Sequence, residues 1–143
     1  ERMDVSIFSV LGPVMIGPSS SHTAGAARLS KAAARIAGGR IKKVSFGLHG
    51  SFAKTYKGHA TDKALLAGVL GLDEQDENII RSYELADKSG LKYEFYTTDL
   101  GDVHENSVKM DFLMQDGRTV SVTGSSVGGG EIEILEKRYG SLF

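Results

Sequence analysis

The chain has no cysteine, no tryptophan, two prolines among 143 residues and a formal charge of only −1. Without cysteine it forms no disulfide and offers no thiolate to zinc or to an iron–sulfur cluster. Near-neutral charge removes the broad field that draws a protein to nucleic acid or an anionic membrane. No apolar run approaches the length of a membrane span and no signal-peptide pattern is present. A cytoplasmic protein with neither nucleic-acid nor membrane partners is therefore expected. The four histidines, at 22, 49, 59 and 104, lack metal-ligand spacing, and no Walker loop or Gly-x-Gly-x-x-Gly follows a strand. Neither a zinc site nor a nucleotide site is expected from this chain.

What remains is an ordinary globular composition, 41% hydrophobic and 24% charged, enough for one core and one domain over residues 1–143. The chain opens on Glu1 rather than Met, so a processed or trimmed protein is expected. Its most informative stretch is Gly17-Pro18-Ser19-Ser20-Ser21-His22-Thr23-Ala24-Gly25. Three consecutive hydroxyls, an imidazole and a fourth hydroxyl stand between a Gly-Pro turn and the Ala-rich segment 24–37, which is composed of strong helix formers. This cluster falls at the expected start of a helix, where unpaired N–H groups and a positive dipole end receive anions. An ordinary N-cap needs one hydroxyl. Four hydroxyls beside a histidine able to exchange a proton near neutral pH point instead to a small-acid site.

Further along, residues 3–10 form an apolar segment of undecided type, broken at Leu11-Gly12-Pro13. Gly38-Gly39 is a plausible helix C-cap. Residues 41–49 read as a strand, 50–57 as a loop and 61–70 as a second helix, starting near Gly58 and ended by Gly71. A short helical stretch is expected around residues 79–88. Strands follow at 92–98, 107–115 and 118–124; Asp116-Gly117 signals a hairpin with a type I′ turn. Gly128-Gly129-Gly130 then interrupts before an alternating segment at 131–135. This order predicts an α+β fold, a mixed and mostly antiparallel sheet with helices on one face.

Two further polar clusters accompany the first. One joins Gly50-Ser51-Phe52-Ala53-Lys54-Thr55 to Gly58-His59-Ala60-Thr61-Asp62-Lys63; the other is Ser125-Ser126-Val127-Gly128-Gly129-Gly130. His59 precedes a helix as His22 does, although capping by Thr61 or Asp62 also accounts for residues there. Lys54 is a candidate to attract a carboxylate, against the plain alternative of a solvated lysine. His104 and Asn106 stand at a strand entrance where turn chemistry competes with a binding role.

Ile16 to Thr23, Gly50 to Thr55, Gly58 to Ala64 and Val127-Gly128-Gly129-Gly130-Glu131-Ile132 together resemble the β chain of bacterial iron–sulfur L-serine dehydratase (L-serine deaminase), in order over nearly the whole chain. The resemblance implies an L-serine ammonia-lyase that needs no pyridoxal phosphate, converts L-serine to pyruvate and ammonia, and is inactive as this component alone. It implies an α-chain partner whose cysteines hold a [4Fe–4S] cluster, and a homodimer formed through this domain. It also implies a fold similar to the allosteric substrate-binding domain of D-3-phosphoglycerate dehydrogenase. Many such β chains carry a C-terminal ACT domain, so this chain is expected to be the first domain of a longer protein. Three positions in two motifs depart from the family pattern: in His104-Glu105-Asn106-Ser107, Glu105 and Ser107 replace the Pro and Thr of His-Pro-Asn-Thr, and Tyr56 replaces a glycine.

The roles that follow place His22 and His59 as catalytic, one as base at the substrate Cα and the other orienting substrate or assisting proton transfer. Ser19, Ser20, Ser21, Thr23, Lys54 and Asn106 become substrate-binding, and no metal ligand is expected here. The competing expectation is a non-catalytic regulatory domain that binds a serine-like effector in the same helix-start pocket.

Overall fold

The computed structural model describes residues 20–57 and 60–141, with side chains from Thr23 onward. The apolar segment at 3–10 and the break at 11–13 lie outside the described residues, as do Ser19, Gly58 and His59.

The Ala-rich run forms helix α1, Ser20–Ala37. It begins four residues earlier than the alanines alone suggest, so Ser20, Ser21, His22 and Thr23 make up its first turn rather than preceding it. Their N–H groups are the four that an α-helix leaves without intrahelical partners. The helix ends where Gly38, at φ 63°, closes a left-handed cap through its N–H to Ala34 O at 3.1 Å. The Arg118 guanidinium donates to the carbonyls of Ala37 and Gly38 at 3.3 and 2.7 Å.

Strand β1, Ile41–Leu48, alternates as expected, burying Val44, Phe46 and Leu48. Residues 50–55, expected as loop, instead coil into a short helix α2, Gly50–Thr55. That correction has a local cause. Gly50 takes φ 56°, and a Cβ there would lie 2.5 Å from Glu105 O, so only glycine lets the chain turn this tightly out of β1. Helix α3 covers Thr61–Val69, with Gly71 just beyond it at φ 90°. A 3₁₀ turn at Glu77–Arg81 leads into α4, Ser82–Ser89.

Strands β2 (Lys92–Thr97), β3 (Ser107–Met114), β4 (Arg118–Gly128) and β5 (Glu131–Ser141) complete a five-stranded sheet ordered β2-β1-β3-β4-β5. β1 and β2 are parallel, joined by the crossover that carries α2, α3 and α4; every other pair is antiparallel. The expected α+β architecture with a mixed sheet is present. The Asp116-Gly117 hairpin joins β3 to β4, but Gly117 has φ 91° while Asp116 is not left-handed. The turn is therefore not type I′, which needs positive φ at two consecutive residues. The triple glycine is the β4–β5 turn, all three residues at positive φ.

The core lies between the sheet and the helices. Ala26, Ala27, Leu29 and Ala33 of α1, and Leu65 and Leu66 of α3, pack with Phe46, Met110, Phe112, Val120 and Val122. Small residues set the helix spacing: a Cβ on Gly68 of α3 would lie 2.3 Å from Ala27 O.

Arg28 ties α1 to two loops, donating to Gly130 O and to the Glu74 carboxylate. The hydrogen bond from Arg28 holds the Glu74 carboxyl below its ordinary value of 4.5. A depressed carboxylate stabilises the fold above its unfolded pKa and loses that contribution as pH falls through the folded value. Arg28→Ala is thus expected to lower the thermal midpoint near pH 7, and the gap from the native chain should narrow below about pH 4, as thermal scans across pH will report.

Candidate functional site

Three strand ends and two helix starts meet at one end of the sheet. β1 delivers the chain there at His49, whose N–H bonds Ser107 O at 3.1 Å at the start of β3. Ser51 N–H bonds Glu105 O at 2.9 Å, and Ser126 N–H, late in β4, bonds Asn106 O at 2.9 Å. The first turns of α1 press onto β4 here, for a Cβ on Gly25 would fall 2.1 Å from Ser126 Oγ. A glycine two residues past Thr23 thus lets the amide-rich end of α1 approach the β4 serines. Helix α2 also starts at this end, directly out of β1, and the Thr61 hydroxyl at the head of α3 lies 3.4 Å from that of Thr55 at the far end of α2.

The floor of the site is polar and mostly paired. The Ser107 and Ser125 hydroxyls, both buried, stand 2.6 Å apart. Ser107 donates its proton to His104 O at 2.6 Å, so Ser125 is the donor within the pair. His49, nearly buried, accepts Leu100 N–H on Nδ1 at 3.0 Å. Its ring proton in the neutral form therefore sits on Nε2. His104 is held in the same way, its Nδ1 accepting Asn106 N–H at 3.0 Å. One group is left over. Asn106 Oδ1 is shut off from solvent and has no hydrogen-bond partner among the described residues. A buried amide oxygen left unpaired costs about 1–3 kcal/mol.

The expected site residues are distributed as follows. Thr23 is half-buried in the first turn of α1, and Ser20, Ser21 and His22 share that turn by backbone. Asn106 sits at the mouth of β3. Lys54 is exposed in the last turn of α2, a position where a cation suits the helix dipole. Ser19 and His59 lie outside the described residues. Thr61 and Asp62 do not occupy the cap position of α3; Ala60 does, without a side-chain hydrogen bond, while Asp62 Oδ1 accepts its neighbour's N–H from Lys63 at 2.8 Å. His49 was not singled out from the sequence. Its signal was its place, directly before the Gly50-Ser51 turn out of β1.

The residues present do not fit an iron–sulfur cluster. The chain has no cysteine, and among the described residues no group of three or more His, Asp or Glu side chains converges as a metal site.

Comparison with known proteins now bears on this arrangement. Residues 6–87 match the family described as "Serine dehydratase beta chain". The chain belongs to that family. It is 51% identical over 133 residues to "L-serine dehydratase, beta chain" of Peptoniphilus asaccharolyticus, covering 92% of this chain and 60% of that protein. It is 45% identical over 131 residues to "Probable L-serine dehydratase, beta chain" of Bacillus subtilis (strain 168), covering 92% and 59%. Against "L-serine dehydratase TdcG" of Escherichia coli (strain K12) the identity is 30% over 159 residues, covering 95% of this chain and 35% of the longer protein. The chain thus spans about 60% of the length of the first two beta chains. As a member of the serine dehydratase beta chain family it brings together, at one end of its sheet, the α1 start, Asn106 and the β4 serines. Among the described residues no helix is long and apolar enough to cross a membrane.

Proposed function

We propose that this chain is the β component of an iron–sulfur L-serine dehydratase and lends substrate-binding and proton-transfer residues to a site shared with an α component. The observation that carries the reading is the buried Asn106 Oδ1, without a hydrogen-bond partner among the described residues and set on a strand end beside the amide-rich start of α1. An amino acid substrate offers the two complements this arrangement lacks. Its carboxylate suits the unpaired N–H groups of α1 and the hydroxyls of Ser19, Ser20, Ser21 and Thr23. Its ammonium or hydroxyl can donate to the Asn106 amide oxygen. Lys54, exposed in the last turn of α2, is the cation this reading assigns to the substrate carboxylate.

Loss of water from serine requires removal of the Cα proton and departure of the β-hydroxyl; the resulting enamine tautomerises and hydrolyses to pyruvate and ammonia. On this chain His22 and His59 are the groups that hold or move a proton at Cα. A histidine is too weak a base for such a carbon acid in water, so placement and exclusion of solvent must supply the difference. The family resemblance assigns a [4Fe–4S] cluster, as Lewis acid at the leaving hydroxyl, to cysteines of the α component, and the lack of cysteine in this chain fits that division.

The test is reconstitution. The chain and its α partner are mixed anaerobically with L-serine and pyruvate is measured. Pyruvate should form only when both are present. An α chain fully active alone, with this chain only adjusting its kinetics, contradicts the shared site and establishes the regulatory alternative.

A further inference from the structure

The connection from α2 to α3 contains the one non-glycine residue at positive φ among the described residues. Ala60 sits at φ 67°, ψ 11°, a left-handed conformation in which its Cβ crowds the following carbonyl. It directly follows His59 in sequence and opens α3, its carbonyl accepting Ala64 N–H at 2.9 Å. Such a turn persists only where its surroundings over-determine it.

The surroundings come from α4 and β2. The Asp62 carboxylate, nearly buried, accepts Lys63 N–H on Oδ1 and the Tyr83 hydroxyl, from α4, on Oδ2 at 2.6 Å. Asp62 N–H in turn reaches back to Tyr56 O at 3.4 Å, closing the connection on itself. The other end is held by ring packing. Tyr56 stacks on Phe95 of β2 with centroids 5.9 Å apart, and Phe95 stacks on Phe46 of β1 at 4.8 Å. Tyr83 meets Phe95 edge-on at 6.2 Å and Tyr93 at 5.4 Å. One aromatic array therefore grips the connection at Tyr56, and the Tyr83 hydroxyl grips it at Asp62. The two grips flank the strained Ala60.

We propose that Tyr83 is a positioning residue: through its hydrogen bond to Asp62 it locks the left-handed turn at Ala60 and fixes the backbone that immediately follows His59. This rests on the reading of His59 as a proton-transfer group. Burial, and then the Asp62 carboxylate, push the Tyr83 hydroxyl well above its ordinary 10, so it remains a donor throughout the working pH range. Nothing in the sequence pairs positions 62 and 83, and the contact appears only when α4 docks against α3.

The experiment uses the reconstituted enzyme. Tyr83→Phe keeps the ring packing and removes only the hydroxyl. Turnover should fall about tenfold while KM for L-serine changes by less than about twofold, because a hydrogen bond to a charged group is lost without any substrate contact. The double variant Tyr83→Phe with Ala60→Gly should recover most of that turnover, since glycine takes the left-handed turn without strain. Hydrogen exchange at the amides of residues 61–64 should quicken in Tyr83→Phe and slow again in the double variant. Native turnover in Tyr83→Phe, or a loss that follows the thermal midpoint and is not rescued by glycine, overturns the proposal. His59→Ala, assayed in parallel, separates the two readings. Full activity in His59→Ala defeats the catalytic assignment, and exchange at 61–64 then decides by itself whether the hydroxyl locks the turn.

Discussion

Replacing His59 by Ala in the reconstituted enzyme is expected to lower turnover by about 10²-fold or more, and His22→Ala to do the same. Both effects should fall on kcat rather than on KM, since neither imidazole is assigned to hold the substrate carboxylate. The assembly with the α component should be unchanged by size-exclusion chromatography. The two losses should not add in the double variant if base and orienting group act as a unit. Native turnover by both single variants, in complexes that still assemble, removes the histidines from the reaction.

Asn106→Ala carries the second largest effect and the sharper signature. If the Asn106 amide oxygen accepts a hydrogen bond from the substrate ammonium, its loss should reduce kcat/KM by roughly 10- to 100-fold, the value of a hydrogen bond to a charged group. Stability should move the other way. The side chain leaves a buried oxygen unpaired among the described residues, so deleting it removes a desolvation penalty rather than a contact. The thermal midpoint of the isolated chain should therefore hold or rise. A variant that keeps its catalytic efficiency but melts earlier would mark Asn106 as structural.

Much of this architecture is legible in the residues because local chemistry and the fold agree. The Ala-rich run gives α1, and Val108, Met110, Phe112 and Met114 alternate onto the core face of β3. Where the reading stops short, a specific contact is responsible. The run of strong helix formers begins at residue 24, with the hydroxyl cluster ahead of it; in the structure the helix takes in Ser20 to Thr23 as well, with Gly25 packed against Ser126. Helix α2 has six residues and begins with glycine, too little pattern to register without the Glu105 carbonyl that forces the turn. The alternation that marks β5 in the sequence covers residues 131–135, whereas the strand runs to Ser141. Its register shifts opposite Thr123 and Gly124, so the alternation of EIEIL does not continue into Glu136-Lys137-Arg138.

The site divides in the same way. Hydroxyl clusters and histidines near helix starts stand out in a linear reading, since their excess over capping needs is visible residue by residue. Their convergence is not visible. It comes from the β1–β3 and β3–β4 registers, which place His49 beside Ser107 and Ser107 beside Ser125. Asn106 is a candidate through a family motif, and the lack of a partner for its oxygen among the described residues shows only in the packed strand ends.

Hydrogen exchange on the reconstituted α–β complex, with and without L-serine, tests the shared site most directly. L-serine should protect the amides of residues 21–26, 106–107 and 125–126 on this chain and leave those of α4 and β5 unchanged. Continued turnover with no protection in those three segments would mean that the substrate is held elsewhere, and that this end of the sheet is not part of the active site.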